Sequence, residues 1–75
     1  MSRDLFRQAA KERRTLFNAW LMLNNPLALE LAGEAGWDCV TLDQQHGAGG
    51  NDTLLACLTA AKAAGLPAIV RVANN

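Results

Sequence analysis

The sequence lacks a net charge and any long hydrophobic run. Its 75 residues include seven Lys plus Arg and seven Asp plus Glu, for a formal net charge of zero. No basic field is therefore available to attract a nucleic acid backbone. No stretch approaches the roughly 20 apolar residues of a membrane-spanning helix. These absences argue against nucleic acid and membrane as partners, and they predict a soluble, cytoplasmic protein.

Cysteine is also scarce. The chain contains two cysteines, Cys39 and Cys57, which have no CxxC spacing and no neighbouring His or Cys that would suggest a zinc site. Both lie in apolar segments, where a free thiol behaves as a small hydrophobic side chain. We therefore expect two buried free thiols rather than a disulfide, as is typical of a reducing compartment.

Hydrophobic residues, by contrast, make up 51% of this short chain. A domain near this size buries only about 60% of the surface that its unfolded chain exposes. The chain is therefore either a compact small domain or a part that needs partners or further sequence. No low-complexity segment or linker divides it, so we expect a single domain.

Helical and strand patterns alternate along the chain. Apolar spacing and turn signals predict three helices and three strands, in the order helix 3–13, strand 15–23, helix 26–35, strand 37–43, helix 51–64 and strand 66–72. Because each connection between strands is long enough to hold a crossover helix, the alternation predicts a parallel sheet in an α/β fold.

Local signals refine two of these helices. Pro26 suits the first position of the second helix, and Gly36 suits its end; we expect its buried stripe to contain Leu27, Leu31 and Ala35. Asn51 or Asp52 is the expected N-cap of the third helix. The apolar run that ends at Asp43 shows little alternation, as in a strand covered on both faces.

Chemistry-bearing residues follow the predicted strands, where ligands gather in α/β folds. Asp43 and His46 follow the second strand, and Arg71, with Asn74 beyond it, ends the third. A carboxylate just before a histidine can hold one ring nitrogen and make the other more basic. An arginine suits a substrate carboxylate or a developing enolate. The set predicts proton transfer next to the carbonyl group of a carboxylated compound.

Each of these residues has a plainer interpretation. A single loop histidine such as His46 is often solvated, although its place after a buried strand favours a site. Arg71 could be an edge-strand charge that discourages aggregation. By residue type alone, Trp20 belongs to a core more often than to a site.

The order "AWL", then "AGWDCVTLDQQHG", then "PAIVRV" resembles the HpcH/HpaI aldolase family of metal-dependent class II pyruvate aldolases. The resemblance covers nearly all of the chain and implies the first part of a TIM (β/α)8 barrel. It implies that His46 is the catalytic base, supported by Asp43, and that Arg71 orients pyruvate and stabilises its enolate. Trp20 matches a tryptophan near the substrate. The position before the histidine is often Glu in the family and is Gln45 here.

Length is the main departure from the family. A (β/α)8 barrel has roughly 250 residues, so residues 1–75 are expected to be one partial domain, an N-terminal portion of such a barrel. The family's divalent metal (Mg, Mn or Co) has Glu and Asp ligands on later strands, and Glu30 and Glu34 lie instead on a predicted helix surface.

We therefore expect a fragment of a pyruvate aldolase that is inactive alone, because nothing in this chain matches the metal ligands. The resemblance implies pyruvate and an aldehyde as small-molecule partners, and a homo-oligomer. The alternatives are a non-catalytic, self-associating α/β module and a truncated gene product.

Overall fold

A computed structural model describes residues 2–47 and 50–72 of the chain. Helices and strands alternate through its whole length. The elements are α1 (Ser2–Glu12), β1 (Asn18–Leu21), α2 (Pro26–Ala35), β2 (Cys39–Asp43), α3 (Asn51–Ala63) and β3 (Ala68–Arg71).

The three strands form a parallel sheet in the order β1-β2-β3, so the expected α/β fold is confirmed. The strands are shorter than predicted, most clearly β1, which was expected over 15–23. Only its residues Asn18–Leu21 lie opposite β2, from Cys39 to Leu42. The flanking apolar residues resemble strand in composition, but the regular register stops at these bounds. A single backbone hydrogen bond continues it at one end, where the N–H of Asp38 donates to the carbonyl oxygen of Phe17 at 3.0 Å.

Helix α2 has the predicted bounds because its ends carry strong signals. The side chain of Asn25 accepts a hydrogen bond from the backbone N–H of Leu27, and Gly36 ends the helix with a φ of 90°. The predicted buried stripe is wrong, however: Leu27 and Leu31 are each 58% exposed, whereas Leu29 and Ala32 are buried. Leu and Ala occupy so much of this helix that apolar spacing alone does not select its buried face.

Helix α3 is capped differently from the prediction. Gly50 is its N-cap, in an extended conformation, and no side chain caps the helix. Asn51 and Asp52, the predicted caps, are already inside the first turn. Glycine is an accepted N-cap residue even though it has no side chain to accept a hydrogen bond from the first turn. Asn51 and Asp52 are exposed.

The sheet has two chemically different faces because strand side chains alternate. Val40 and Leu42 pack with α2 and α3 in one core. The buried members of this core are Ala19, Leu29, Ala32, Val40, Leu42, Cys57, Ala61 and Leu66. Asn18, Thr41 and Asp43 alternate with these core positions, so the polar side chains of β1 and β2 lie on the opposite face of the sheet.

Helix α1 lies toward the amino ends of the strands. Its Leu5 lines a shallow cavity together with Asp38 and Pro67, which precede β2 and β3. The carboxyl ends of the strands are at the other end of the sheet. Within the described ranges, no helix combines the length and the apolar character needed to cross a membrane.

Candidate functional site at the carboxyl ends of the strands

Asp43, the last residue of β2, is the centre of a cluster of polar contacts. Its side chain is 1% exposed. Oδ1 accepts hydrogen bonds from the backbone N–H groups of Gln45 and His46, both at 2.9 Å. Oδ2 accepts one from Trp20 Nε1 at 3.1 Å and lies 3.6 Å from Arg71 Nη1. A carboxylate can be buried here because donors surround both oxygens.

These donors hold the pKa of the Asp43 carboxyl below its usual value. The hydrogen bond from the His46 backbone has the largest effect, while burial acts in the opposite direction. The Trp20 side chain, the Gln45 backbone and the charge of Arg71 lower the pKa further. Asp43 is therefore an ionised acceptor that orders the residues around it rather than a proton donor.

The loop after β2 lies tightly against the strand ends. A Cβ atom on Gly47 would lie 2.1 Å from the carbonyl oxygen of Asp43 and 2.6 Å from that of Met22. The buried Asn24 donates a hydrogen bond to the same Asp43 carbonyl at 3.3 Å. Only glycine permits this close approach of one backbone to another, so Gly47 fixes where the loop begins its turn away from the sheet.

Arg71 ends β3 directly opposite Asp43 in the parallel register. Its Nε donates to Gln45 Oε1 at 2.7 Å, and its guanidinium carbon lies 5.8 Å from the centre of the Trp20 ring. The guanidinium is thus held by an amide, a carboxylate and an aromatic ring, while 39% of the side chain is still exposed. It is both ordered and accessible to a ligand.

His46 contacts Asp43 in a different way from the prediction. In place of the expected hydrogen bond between a ring nitrogen and the carboxylate, the backbone N–H of His46 donates to Asp43 Oδ1. The side chain of His46 is exposed, and within residues 2–47 and 50–72 its ring forms no hydrogen bond. An aspartate side chain readily accepts from backbone N–H groups two or three residues later in the chain. Asp43 Oδ1 makes this contact with the backbone of His46 rather than with its ring.

Trp20 lies in the site, half-exposed at 51%, rather than in the core that its residue type favours. The polar contacts continue along the same face of the sheet: Asn18 Nδ2 donates to Thr41 Oγ1 at 2.8 Å.

Sequence reasoning missed the contributions of Asn24, Gly47 and Asn18. The alternation of β1 could have indicated Asn18. No sequence pattern marks the contacts that the Asn24 side chain and the Gly47 backbone make with the carbonyl oxygen of Asp43. The predicted Asn74 lies outside the described residues.

The described residues do not form a metal site by themselves. No group of three or more His, Cys, Asp or Glu side chains able to hold a cation occurs in the described part of the chain. Both oxygens of the buried Asp43 carboxylate already face N–H donors. Glu30 and Glu34 are exposed on α2. The divalent cation that the resemblance implies would need ligands from elsewhere.

Successive βα units with a polar site at the carboxyl ends of parallel strands are the arrangement of a (β/α)8-barrel enzyme. Three such strands are present here, so the chain has the architecture of a part of such a barrel.

Comparisons with known proteins agree with this class. The chain is 33% identical over 79 residues to a 5-keto-4-deoxy-D-glucarate aldolase of Citrobacter koseri, covering 100% of this chain and 31% of that relative. The crystal structure of the citrate synthase SbnG matches with a TM-score of 0.80 and 29% identity, over 87% of this chain and 26% of its own.

A further crystal structure, an HpcH/HpaI aldolase/citrate lyase family protein of Burkholderia cenocepacia, has 33% identity and a TM-score of 0.67. That match covers 77% of this chain and 23% of the other. No profile of a known protein family matches the chain. The resemblance to the HpcH/HpaI aldolase family is nevertheless confirmed: the chain is similar to a part of an aldolase and to a part of a protein of that family. It spans less than a third of the length of these relatives.

Proposed function

We propose that the chain supplies part of the active site of a pyruvate aldolase, with Arg71 as the residue that binds the carboxylate and enolate of pyruvate. The observation that carries this proposal is the cluster of Arg71, Asp43, Gln45 and Trp20 at the carboxyl ends of the strands. An ordered, exposed guanidinium presents paired N–H donors that match a carboxylate. The homology to aldolases supports the same chemistry.

His46 is the proposed base, and Asp43 is the proposed positioning residue. In the cleavage direction, the base takes the proton of the 4-hydroxyl group of a 4-hydroxy-2-oxo acid. The C3–C4 bond then breaks, which releases an aldehyde and leaves the electron pair as a pyruvate enolate. The exposed imidazole is carried on a loop that the Asp43 carboxylate and Gly47 hold against the strands.

The implied cofactor is a divalent metal, Mg, Mn or Co, which stabilises the enolate when it is bound. The described residues offer no set of ligands for it, so we propose that the chain is one partial domain of a larger barrel and is inactive alone. Incubating the 75-residue chain with a 4-hydroxy-2-oxo acid and each metal should release no pyruvate. Turnover that disappears in His46→Ala would show instead that the chain is sufficient.

Carboxylate binding by Arg71 tests the proposal directly. Adding pyruvate to the ¹⁵N-labelled chain should shift the side-chain N–H signals of Arg71 and Trp20. Arg71→Gln should abolish the shift of the Trp20 signal, whereas Arg14→Gln, which removes an exposed arginine beyond α1, should leave that shift unchanged. Equal binding in the two variants would assign pyruvate to a different place and contradict the proposal.

A second candidate function is self-association, with the chain as a homo-oligomeric module. Within the described residues, β1 and β3 are each paired along one side only. Several large apolar side chains are also exposed, among them Leu23, Leu31 and Ile69. Exposed strand edges beside apolar surface favour pairing with another chain. Light scattering of the purified chain distinguishes a discrete oligomer from a monomer.

The two thiols support a reducing compartment. Cys39 and Cys57 are buried and free, as expected from the sequence. Burial raises the pKa of both thiols, and Asp38 raises that of Cys39 further. Because buried, protonated thiols of this kind persist in a reducing environment, we propose a cytoplasmic location, which cell fractionation would test.

A further inference from the structure

Gln45 holds the Nε edge of the Arg71 guanidinium by a side-chain hydrogen bond. Its Oε1 accepts the Nε–H of Arg71 at 2.7 Å, at the short end of the range for an N–H···O bond. This contact joins a loop residue to the end of β3, 26 positions later in the chain. It fixes the rotation of the guanidinium plane, which the 3.6 Å contact with Asp43 alone does not.

The backbone around Gln45 is anchored to the same two residues. The N–H of Gln45 donates to Asp43 Oδ1, and the N–H of Gln44 donates to the carbonyl oxygen of Arg71 at 2.9 Å. Gln45 therefore approaches Arg71 from a fixed position, although its own side chain is exposed. The cost in side-chain entropy of making the contact is correspondingly reduced.

We propose that Gln45 is a positioning residue: it orients Arg71 through Nε, so that the other N–H groups of the guanidinium face a carboxylate ligand. The inference rests on the proposed function for the identity of the ligand, and on the contact alone for the positioning role. Two measurements keep these parts separate.

The first measurement needs no ligand. The Arg71 Nε–H should exchange with water about fivefold more slowly than that of the exposed Arg7, as expected for a hydrogen bond worth about 1 kcal/mol. Gln45→Met, which keeps the side-chain length but removes the acceptor, should abolish the protection, and Gln45→Glu should retain it. Unprotected exchange in the unmodified chain, or protection that survives Gln45→Met, would overturn the positioning role.

The second measurement is pyruvate affinity. Gln45→Met should weaken binding by about fivefold, the equivalent of a hydrogen bond of about 1 kcal/mol, whereas Gln45→Glu, which keeps the acceptor, should retain most of the affinity. Gln8→Met makes the same change at an exposed position on α1 and should leave the affinity unchanged.

The outcomes distinguish the two ideas. Protection of Arg71 without pyruvate binding in the unmodified chain supports the positioning role and contradicts the proposed function. Binding that is equal in the unmodified chain and Gln45→Met supports the proposed function and overturns this inference. A loss of affinity in Gln45→Glu as large as that in Gln45→Met also overturns it.

Discussion

At the residue scale, the ionised Asp43 carboxylate should make the stability of the chain sensitive to acid. Its pKa in the folded chain is lower than the usual 3.8, so the unfolded chain binds more protons as the pH falls through this range. The stabilisation is complete above the usual value and is lost as the pH drops through the folded pKa. Urea unfolding from about pH 6 to about pH 2 should show this decline.

Two variants assign the decline to Asp43. Asp43→Asn removes the titrating group, and its free energy of unfolding should therefore fall less steeply below the usual aspartate pKa than that of the unmodified chain. Glu30→Gln removes an exposed carboxylate on α2 and should leave the slope almost unchanged. Identical slopes in the unmodified chain and Asp43→Asn would mean that the four donors around Asp43 do not favour its charged form.

Gly47 gives a second prediction at this scale. Gly47→Ala places a methyl group against the backbone oxygens of Asp43 and Met22, which neither can avoid without moving a strand end. We expect a loss of about 1–3 kcal/mol in the free energy of unfolding, typical of overpacking. The backbone N–H groups of Gln45 and His46 should also exchange faster. Gly50→Ala is the matched control: a Cβ there meets nothing within 4 Å, so only the change of N-cap residue remains, which should cost less than about 1 kcal/mol.

The part of the site that depends on the order and direction of the strands was predictable from the sequence. Asp43 and Arg71 were expected to converge because both end neighbouring parallel strands, and the register places them opposite each other. The contact of His46 through its backbone was not predictable, because the sequence does not tell which donor of a residue reaches the carboxylate. The resemblance predicted Trp20 near the substrate although its residue type alone favours a core. Its ring has one polar atom, Nε1, which donates to Asp43 at the sheet surface.

At the scale of elements, two asparagines at helix starts should behave differently. Asn25 caps α2 by accepting from the Leu27 N–H at 2.9 Å, so Asn25→Ala should lower the free energy of unfolding by about 1 kcal/mol. Asn51 begins α3 without a capping bond, and Asn51→Ala should change it by less than about 0.5 kcal/mol. Chemical denaturation of both variants makes the comparison, and equal losses would contradict the assigned caps.

The same two helices show which element boundaries a sequence defines. The bounds of α2 were predicted correctly because Pro26 and Gly36 each act through a fixed backbone geometry at one end. Its buried face was not, because Leu29 and Leu31 are equally apolar and only packing against the sheet and α3 distinguishes them. The end of a strand such as β1 depends on the length of its neighbour, which is information from elsewhere in the chain.

At the scale of the whole molecule, the sheet is covered unevenly. Helices α2 and α3 pack on one face, where Val40 and Leu42 are fully buried. On the other face the central strand is buried by its neighbours, while Trp20 on β1 and Ile69 on β3 are about half-exposed. Together with the strand edges that are unpaired among the described residues, this face is where a further part of a barrel, or a second copy, would pack.

Self-association of the isolated chain should therefore depend on the sheet rather than on the outer helix surfaces. Ile69→Lys places a charge on an edge strand, a feature that disfavours pairing between strands, and it should weaken association by about tenfold, or about 1.4 kcal/mol. Leu55→Lys is the matched control: Leu55 is even more exposed, at 68%, but lies on α3. Sedimentation across a range of concentrations measures both. A monomeric unmodified chain would remove the case for a self-associating module, and an equal loss in Leu55→Lys would place the contact on the helices.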